Sequence, residues 1–270
     1  MKKIIYLIVF ILFTLPSHAQ SIKVRKLKKL HVTHEAWFPS FGSNSREVLL
    51  TGQNYKGLVL YNTRTKKETK ISDDPGAGYN VELKSNSEIT YRVSKGSRGE
   101  RKFEYKSYNL TTKSHVATKS AVTEGIQVSV NGKQIELNKP GEEVKIITPV
   151  EDRYFVWASL SPDKKNILFT AVGKGTYVSD LDGNIIAELG YLNAPSWINN
   201  QWVVGMDDKD DGHTTTSSEV IAIHVSSGEK QSISGGKNEI AMYPKASSKG
   251  DRIVFHNEKG EIIIVKIRIR

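Results

Sequence analysis

The sequence contains no cysteine among its 270 residues. Disulfide scaffolds, cysteine-based zinc sites, thiol nucleophiles, iron–sulfur clusters and lipid attachment to an N-terminal cysteine are therefore excluded. Acidic residues are also few: 29 Asp and Glu stand against 39 Lys and Arg, which leaves a formal charge of +10. The apolar content of 38% suffices for a packed core, so the composition favours a globular protein over a disordered one.

The first nineteen residues have the pattern of a secretory signal peptide. Two lysines precede an apolar run over residues 4–15, and a small-x-small triplet, Ser-His-Ala, follows at 17–19. The run is shorter than the roughly 20 residues that a membrane-spanning helix needs. We therefore predict a cleavable signal peptide at 1–19 and a single domain at 20–270. Removal of the two lysines leaves a charge of +8, and the domain is expected to be periplasmic or secreted.

Short β-rich runs recur from residue 37 onward between Gly, Asn, Asp and Ser clusters, without helical periodicity. The best-preserved copy, at 158–169, reads as a short strand, a turn on Pro162 and Asp163, and an apolar strand. Six such copies begin at residues 39, 81, 126, 158, 195 and 244, with spacings of 42, 45, 32, 37 and 49. A pitch of about 40 residues is typical of a four-stranded propeller blade, so the sequence predicts an all-β, six-bladed propeller.

The first and last repeats complement each other. The sixth copy ends with its third strand, at 261–270, while residues 22–32 form a spare strand ahead of the first copy. Pairing of these two segments would close the ring and remove an exposed sheet edge. The third copy has the shortest spacing and is the weakest. A five-bladed ring with an inserted hairpin is therefore the structural alternative.

One repeat resembles a known family. Residues 161–165, Ser-Pro-Asp-Lys-Lys, are followed by Ile-Leu-Phe at 167–169 and by Tyr-Val-Ser-Asp-Leu-Asp-Gly at 177–183. This resembles the repeat of TolB-type six-bladed propellers, which reads close to W-S-P-D-G-K, I-A-F and I-Y-x-x-D-x-x-G. The protein that gives the family its name is periplasmic, takes part in a cell-envelope complex and carries an α/β domain ahead of its propeller. Only 18 residues separate the predicted cleavage site from Phe38, so the resemblance implies a lone exported propeller.

Related repeats also form the lid of prolyl-oligopeptidase-type enzymes. The sequence has no Gly-x-Ser-x-Gly elbow and no room for an α/β-hydrolase domain. A serine peptidase is therefore not expected.

An acidic segment at 206–219 interrupts the repeat. Its carboxylate, hydroxyl and imidazole groups are the kind of ligands that could hold a hard cation such as Ca²⁺. The spacing departs from an EF-hand loop, because Lys209 takes the third position and Ser218 the twelfth. The alternative interpretation is a solvated hairpin loop that caps its own backbone. The candidate calcium ligands are Asp207, Asp208, Asp210, Asp211 and His213.

The histidines raise the hypothesis of a catalytic metal near the axis, since some propellers with related repeats hold a divalent ion there. His34 and His213 are predicted on loops, whereas His224 and His256 are predicted at outward or edge strand positions. The sequence contains neither H-x-H nor H-E-x-x-H spacing, which weakens this hypothesis.

Residues directly upstream of the innermost strands should enter from the loop face, where the axial depression of a propeller lies. Phe41, Leu160 and Trp197, slightly further along, are expected to pack between blades. The upstream set combines amphipathic surface with oriented hydrogen-bonding groups, as recognition pockets do. The predicted ligand-binding residues are His34, Glu35, Trp37, Tyr79, Asn80, Arg153, Tyr154, Asn193, Met242 and Tyr243.

Two basic stretches, at 23–29 and 95–102, could attract anionic polymers. The first is predicted to be an outer strand whose lysines deter edge pairing, and the second an exposed hairpin. Adhesion to an anionic membrane surface through the +8 charge is a further hypothesis.

These observations predict an exported binding or scaffolding module of the cell envelope, without catalysis, that engages a protein or glycan at its axial loop face. Apart from the calcium site considered above, no cofactor is expected. The chain is expected to be a monomer that neither binds nucleic acid nor inserts stably into a membrane. The alternative is a metal-assisted carbohydrate lyase or hydrolase that uses the same depression with His34 or His213. Both functions rest on analogy between folds.

Overall fold

Six antiparallel β-sheets form a six-bladed β-propeller. The computed structural model describes residues 20–79, 81–85, 87–96, 102–117, 125–235 and 239–270. Apart from the strands, these ranges contain one short 3-10 helix, Gln53–Tyr55. None of the described helical structure is long and apolar enough to cross a membrane.

Strands run in chain order from the innermost strand outward in the first five blades. After β1 (Ile22–Lys29), the first blade consists of β2 (Trp37–Phe41), β3 (Glu47–Thr51), β4 (Leu58–Asn62) and β5 (Glu68–Ser72). The second blade consists of β6 (Glu82–Ser85), β7 (Glu88–Lys95), β8 (Lys102–Asn109) and β9 (Ser114–Ala117). The third blade consists of β10 (Gln127–Asn131), β11 (Gln134–Asn138) and β12 (Lys145–Ile147).

The remaining three blades each have four strands. The fourth consists of β13 (Phe155–Leu160), β14 (Asn166–Ala171), β15 (Gly175–Asp180) and β16 (Ile185–Gly190). The fifth consists of β17 (Asn193–Trp197), β18 (Trp202–Asp210), β19 (Thr215–His224) and β20 (Lys230–Ser232). The sixth consists of β21 (Met242–Ala246), β22 (Arg252–His256), β23 (Ile262–Ile269) and, as its outer strand, β1.

The ring is closed by the pairing of β1 with β23. The strands are antiparallel, with Ile22 opposite Ile269 and Lys29 opposite Ile263. Ile22 is 9% exposed and belongs to the apolar layer between the fifth and sixth blades. The predicted closure is confirmed, and it leaves the last blade with a full set of four strands.

The six predicted repeat starts all overlap the innermost strands, and the apolar runs that follow them are the second strands. The third copy forms a sheet of its own, with three strands in the described part of the chain. The five-bladed alternative is therefore wrong. The third blade is nevertheless the smallest one described, as the weak third repeat would lead one to expect.

Turn chemistry explains why the third strand of a blade ends where it does. In the first blade the Asn62 side-chain oxygen accepts hydrogen bonds from the N–H groups of Arg64 and Thr65, both at 3.0 Å. Asn109 and Asp180 accept two backbone N–H groups in the same way in the second and fourth blades. Such Asx turns reverse the chain without backbone partners from another strand. A polar residue at the strand end thus marks the hairpin to the outermost strand.

The core consists of apolar layers between neighbouring blades. Trp202 and Phe169 are fully buried in two of them, and burial of a side chain of this size stabilises by about 2–3 kcal/mol. Phe41 and Trp197 belong to such layers and Leu160 packs against one, as predicted. Among the described residues, layers join every neighbouring pair except the second and third blades. A cavity of about 770 Å³ is lined by the innermost strands of the third and fourth blades and by Tyr79.

Candidate functional site

Four innermost strands share a local distortion. The residues Phe38, Trp157, Ala194 and Tyr243 have φ angles of 47°, 55°, 46° and 53°, and the pairing register shifts at each of them. Bulges of this kind re-aim side chains and are frequent beside functional sites. A left-handed conformation costs a residue with a Cβ about 1–2 kcal/mol. Proline follows in three of the four cases, which fits a bulge because proline has no N–H to offer the ladder.

The bulged strands converge on one cavity of about 260 Å³. Its walls come from the innermost strands of the first, fourth, fifth and sixth blades, from the 3-10 helix of the first blade, and from Gly78, Tyr79 and Val81 ahead of β6. Five blades can meet only around the propeller axis, so we call this space the axial cavity. The side chains used below are Phe38, Tyr55, Tyr79, Trp157, Tyr243 and Lys245.

Aromatic rings form a continuous wall of the axial cavity. Phe38 stacks on Tyr55, with ring centroids 4.0 Å apart and planes 24° apart. Tyr55 contacts Tyr79 edge to face at 5.1 Å, and Phe38 contacts Tyr243 edge to face at 4.7 Å. His256 lies behind this wall and stacks on Tyr243 at 5.5 Å. Each ring is held by a neighbour, so the wall presents fixed faces on which a planar or ring-shaped ligand group can stack.

The phenol groups of Tyr55 and Tyr243 in this wall stay protonated. Burial, with smaller contributions from Tyr243 and Tyr79, raises the pKa of Tyr55 to about 12. Burial, followed by the negative charge of Asp208, also raises the pKa of Tyr243. The hydroxyls are therefore neutral groups at physiological pH that can both donate and accept hydrogen bonds.

Lys245 brings a positive charge to this aromatic surface. Its side chain remains open to solvent inside the axial cavity, while protein surrounds it closely enough that desolvation lowers the pKa of its ammonium. Among the described residues, neither a hydrogen bond nor an ion pair reaches its Nζ. An ammonium that is partly desolvated and has no counter-charge is less stable than one in bulk water, and an anionic group that entered the cavity would offset that loss.

The structure brings some of the predicted ligand-binding residues to the axial cavity. Tyr79 and Tyr243 line it. Trp37 lies behind them, edge-on to His256 with centroids 5.0 Å apart, and Met242 pairs with His256 across the sheet. These four residues therefore belong to the wall or to its immediate support.

Asn193 supports a second polar group near the axis. Its Nδ2 donates to Oδ1 of Asp208 at 2.7 Å, and the Tyr191 hydroxyl lies 3.4 Å from the same oxygen. Burial raises the pKa of Asp208 in spite of these two hydrogen bonds. Asp208 therefore stays protonated up to a higher pH than an exposed aspartate does.

Other predicted residues lie away from the cavity. His34 and Glu35 are exposed on the loop before β2. Arg153 and Tyr154 occupy the turn before β13, where Tyr154 is 60% exposed. Asn80 lies outside the described residues.

Of the six cavity side chains named above, four were not predicted from the sequence: Phe38, Tyr55, Trp157 and Lys245. The bulges shift the inward-facing positions by one residue, so the aromatic residue directly before Pro39 or Pro244 faces the axis. An aromatic-proline pair at a repeat start is the signal that could have identified two of these bulges. Tyr55 comes from the 3-10 helix after β3, for which the repeat pattern holds no signal.

The acidic segment does not gather its carboxylates at one point. Alternation along β18 leaves Asp207 and Asp210 exposed and turns Asp208 inward. Asp211 accepts the N–H of His213 at 2.9 Å, so it caps the hairpin turn as the alternative interpretation predicted. Within the described ranges, no group of three or more His, Asp or Glu residues is arranged to hold a metal ion. The calcium site stays a prediction, and in the described residues its proposed ligands do not converge on one point.

The prediction for His256 was wrong. It is 1% exposed rather than outward-facing, because β22 is a second strand with neighbours on both edges. His224, by contrast, is half-buried at the end of β19.

No family model and no curated protein matches the sequence. Similar solved structures include an oligogalacturonate lyase from Vibrio parahaemolyticus, at 10% identity and a TM-score of 0.49 over 88% of this chain and 79% of that one. An oligogalacturonate lyase in complex with manganese has 10% identity and a TM-score of 0.48, over 88% and 78%. The β-propeller domain of Cps50 (Swd1) from Myceliophteria thermophila has 11% identity and a TM-score of 0.46, over 86% and 83%. These distant likenesses concern the chain fold alone, and the six sheets of the chain itself establish the propeller.

Proposed function

We propose that this protein is an exported binding propeller that takes a ring-bearing, negatively charged part of a glycan or protein into its axial cavity. The observation that carries the proposal is the unpaired ammonium of Lys245 beside the stacked rings of Phe38 and Tyr55. Export is proposed from the leader-like residues 1–19, and the cell envelope is the proposed site of action.

The size of the axial cavity fits one end of a ligand. Its volume of about 260 Å³ lies just below the roughly 300–1,000 Å³ of sites that enclose drug-sized ligands. One sugar ring or one or two side chains would therefore be held while the rest of the ligand lies outside. The fixed aromatic faces supply stacking area, and Lys245 supplies a charge that selects an acidic group.

Matched ligand pairs test the proposal. Oligosaccharides that end in glucuronic acid or in glucose, and aromatic peptides with a free or an amidated carboxyl terminus, are titrated calorimetrically. The acidic member of one pair should bind at least tenfold more tightly. Lys245→Met should abolish that preference, and Lys174→Met, an exposed turn lysine, should preserve it. Equal affinities within both pairs for the natural chain would refute the proposal.

One observation favours the alternative of a carbohydrate-active enzyme. Burial raises the pKa of Asp208, whose charge also influences Tyr243 in the cavity wall, and a raised carboxyl pKa is a property of general acids. Release of reducing ends or unsaturated products from acidic glycans, with and without Mn²⁺, Ca²⁺ or EDTA, would identify this activity. Its loss in Asp208→Asn, with ligand binding retained, would assign the acid.

A further inference from the structure

Three strands of the sixth blade place three cations side by side. In the pairing register, Lys26 on β1 stands opposite Lys266 on β23, and Lys266 stands opposite Arg252 on β22. Neighbouring strands are about 4.8 Å apart, so this cationic row spans about 10 Å. Like charges directly opposite one another in a sheet are destabilising.

The cationic row is barely neutralised by the chain itself. No ion pair in the described part of the chain involves Lys26 or Lys266. Arg252 lies beside Asp251, whose Oδ2 is 3.7 Å from Nε of Arg252. The other carboxylate oxygen of Asp251 already accepts the hydroxyls of Ser45 and Ser247.

Arg252 is held in a fixed orientation. Its Nη1 donates to the backbone oxygen of Ser45 at 2.8 Å, while its Nε is buried without a hydrogen bond. A planar guanidinium held in this way can offer its remaining donors to an oxyanion as a preformed fork.

The row borders a concave surface rather than a flat one. A cavity of about 190 Å³ is lined by all three cations, by Lys28 and Thr63, and by the buried Leu30 and Ile264. A second cavity of about 430 Å³ shares Arg252 and adds two more cations. The cations of the two cavities are Lys26, Lys28, Arg46, Lys249, Arg252 and Lys266.

Protection of the sheet edge explains only part of this arrangement. Lysines on β1 deter pairing because β1 is the outer strand. Lys266 and Arg252, however, lie on the next two strands inward, where no edge exists. Their alignment with Lys26 therefore calls for a different account.

We propose that the cationic row is a binding site for a phosphate-bearing ligand with two or more adjacent phosphates, at the seam where the ring closes. Phosphate groups have the geometry that a fixed guanidinium recognises, and a spacing of a few ångströms between them matches successive strands. The ligand would bridge β1, β23 and β22 and remove their mutual repulsion. Occupation would therefore stabilise ring closure, independently of any ligand in the axial cavity.

Thermal unfolding with soluble phosphates tests this site. Inorganic phosphate, pyrophosphate and tripolyphosphate are added to the full chain, with sodium chloride at matched ionic strength as the reference. Tripolyphosphate should raise the Tm by about 5 °C in a saturable manner, because a ligand that binds only the folded chain stabilises it. Monophosphate should act more weakly.

Variants that remove equal charge from different places distinguish a specific phosphate site from general electrostatic attraction. Lys26→Gln/Lys266→Gln should weaken tripolyphosphate binding at least tenfold and, because repulsion is relieved, should melt no lower than the natural chain without ligand. Lys174→Gln/Lys230→Gln removes the same charge from exposed positions elsewhere and should retain binding. The single variant Lys26→Gln, on the solvent-facing strand, repeats the test with the smallest risk to folding.

The outcomes are decisive in both directions. Vesicles that contain phosphatidic acid, compared with tripolyphosphate, identify whether a lipid headgroup or a soluble phosphate chain is preferred, and saturable binding of either supports the site. Equal shifts with sodium chloride, or equal losses in the two double variants, would overturn it.

Discussion

The rings of Tyr243 and His256 lie almost parallel, 13° apart, with centroids separated by 5.5 Å. Nδ1 of His256 lies 2.9 Å from the backbone oxygen of Asn257, and because that oxygen can only accept, Nδ1 carries the proton. Nε2 is buried without a partner. Burial lowers the pKa of His256 to about 4, so the wall of the axial cavity rests on a neutral imidazole.

Because of His256, the free energy of unfolding should depend on pH even above the range in which ordinary carboxylates titrate. The unfolded chain binds the His256 proton near pH 6.5 and the folded chain only near pH 4, so stability falls as the pH falls between these values. The expected loss between pH 7 and pH 4.5 is about 2 kcal/mol. Urea unfolding should show this loss in the natural chain, and His256→Phe should reduce it. An unchanged slope in the variant would show that His256 is not the titrating group.

Closure of the ring depends on Ile22. Ile22→Ala removes a buried side chain from the layer between the fifth and sixth blades and should cost about 2–4 kcal/mol in unfolding free energy. Leu27→Ala, on the same strand but 48% exposed, should change stability by less than about 0.5 kcal/mol. Comparable losses in both variants would argue that β1 contributes by its backbone pairing alone.

The turn between β13 and β14 contains a strained backbone conformation that a single substitution can relieve. Lys164 has a φ of 59°, and its N–H bonds to the oxygen of Ser161 at 2.8 Å. In the sixth blade the matching residue is Gly250, with a φ of 63° and the same bond to Ser247. Lys164→Gly should therefore raise the unfolding free energy by about 1 kcal/mol, because glycine lacks the Cβ that makes this conformation costly.

The neighbouring lysine is the control for this prediction. Lys165 is not among the residues with positive φ, so Lys165→Gly should be neutral or destabilising. Equal effects in the two glycine variants would show that φ at Lys164 is not the source of strain.

Ionisation of Tyr55 reports directly on the enclosure of the axial cavity. The phenol should ionise near pH 12 in the folded chain, about two units above an exposed tyrosine. Stability should then decrease as the pH rises above about 10, since the unfolded chain releases this proton first. Ultraviolet absorbance titration of the natural chain and of Tyr55→Phe isolates this group. A difference spectrum that develops near pH 10 would mean that the cavity is open to water.

The repeat pattern predicted the fold more completely than the site. Ile22 and the run ending at Ile269 could be paired from the sequence alone, because each strand lacked a partner in its own repeat. The site depends on backbone distortions of a single residue. Phe38 and Trp157 face the axis only because their φ angles are positive, and strand alternation holds no information about such bulges.

The positions of the charged side chains at the two proposed sites could not be predicted from the sequence either. Lys245 follows a proline within the last innermost strand and looks like an ordinary strand lysine until five blades enclose it. The alignment of Lys26 with Lys266 and Arg252 depends on an irregularity in register next to Lys26, which no composition pattern shows. Both features require the distances between distant segments that only the folded ring supplies.

The most direct test of the axial binding site is the pKa of Lys245 itself, followed by NMR at Nζ through a pH titration with and without ligand. The free protein should show a pKa below the usual 10.5, because desolvation disfavours the ammonium. Addition of the tighter-binding acidic ligand should raise that pKa, and its neutral counterpart should not. A pKa equal to that of exposed lysines, unchanged by every ligand tested, would contradict the assignment of the axial cavity as an anion-binding site.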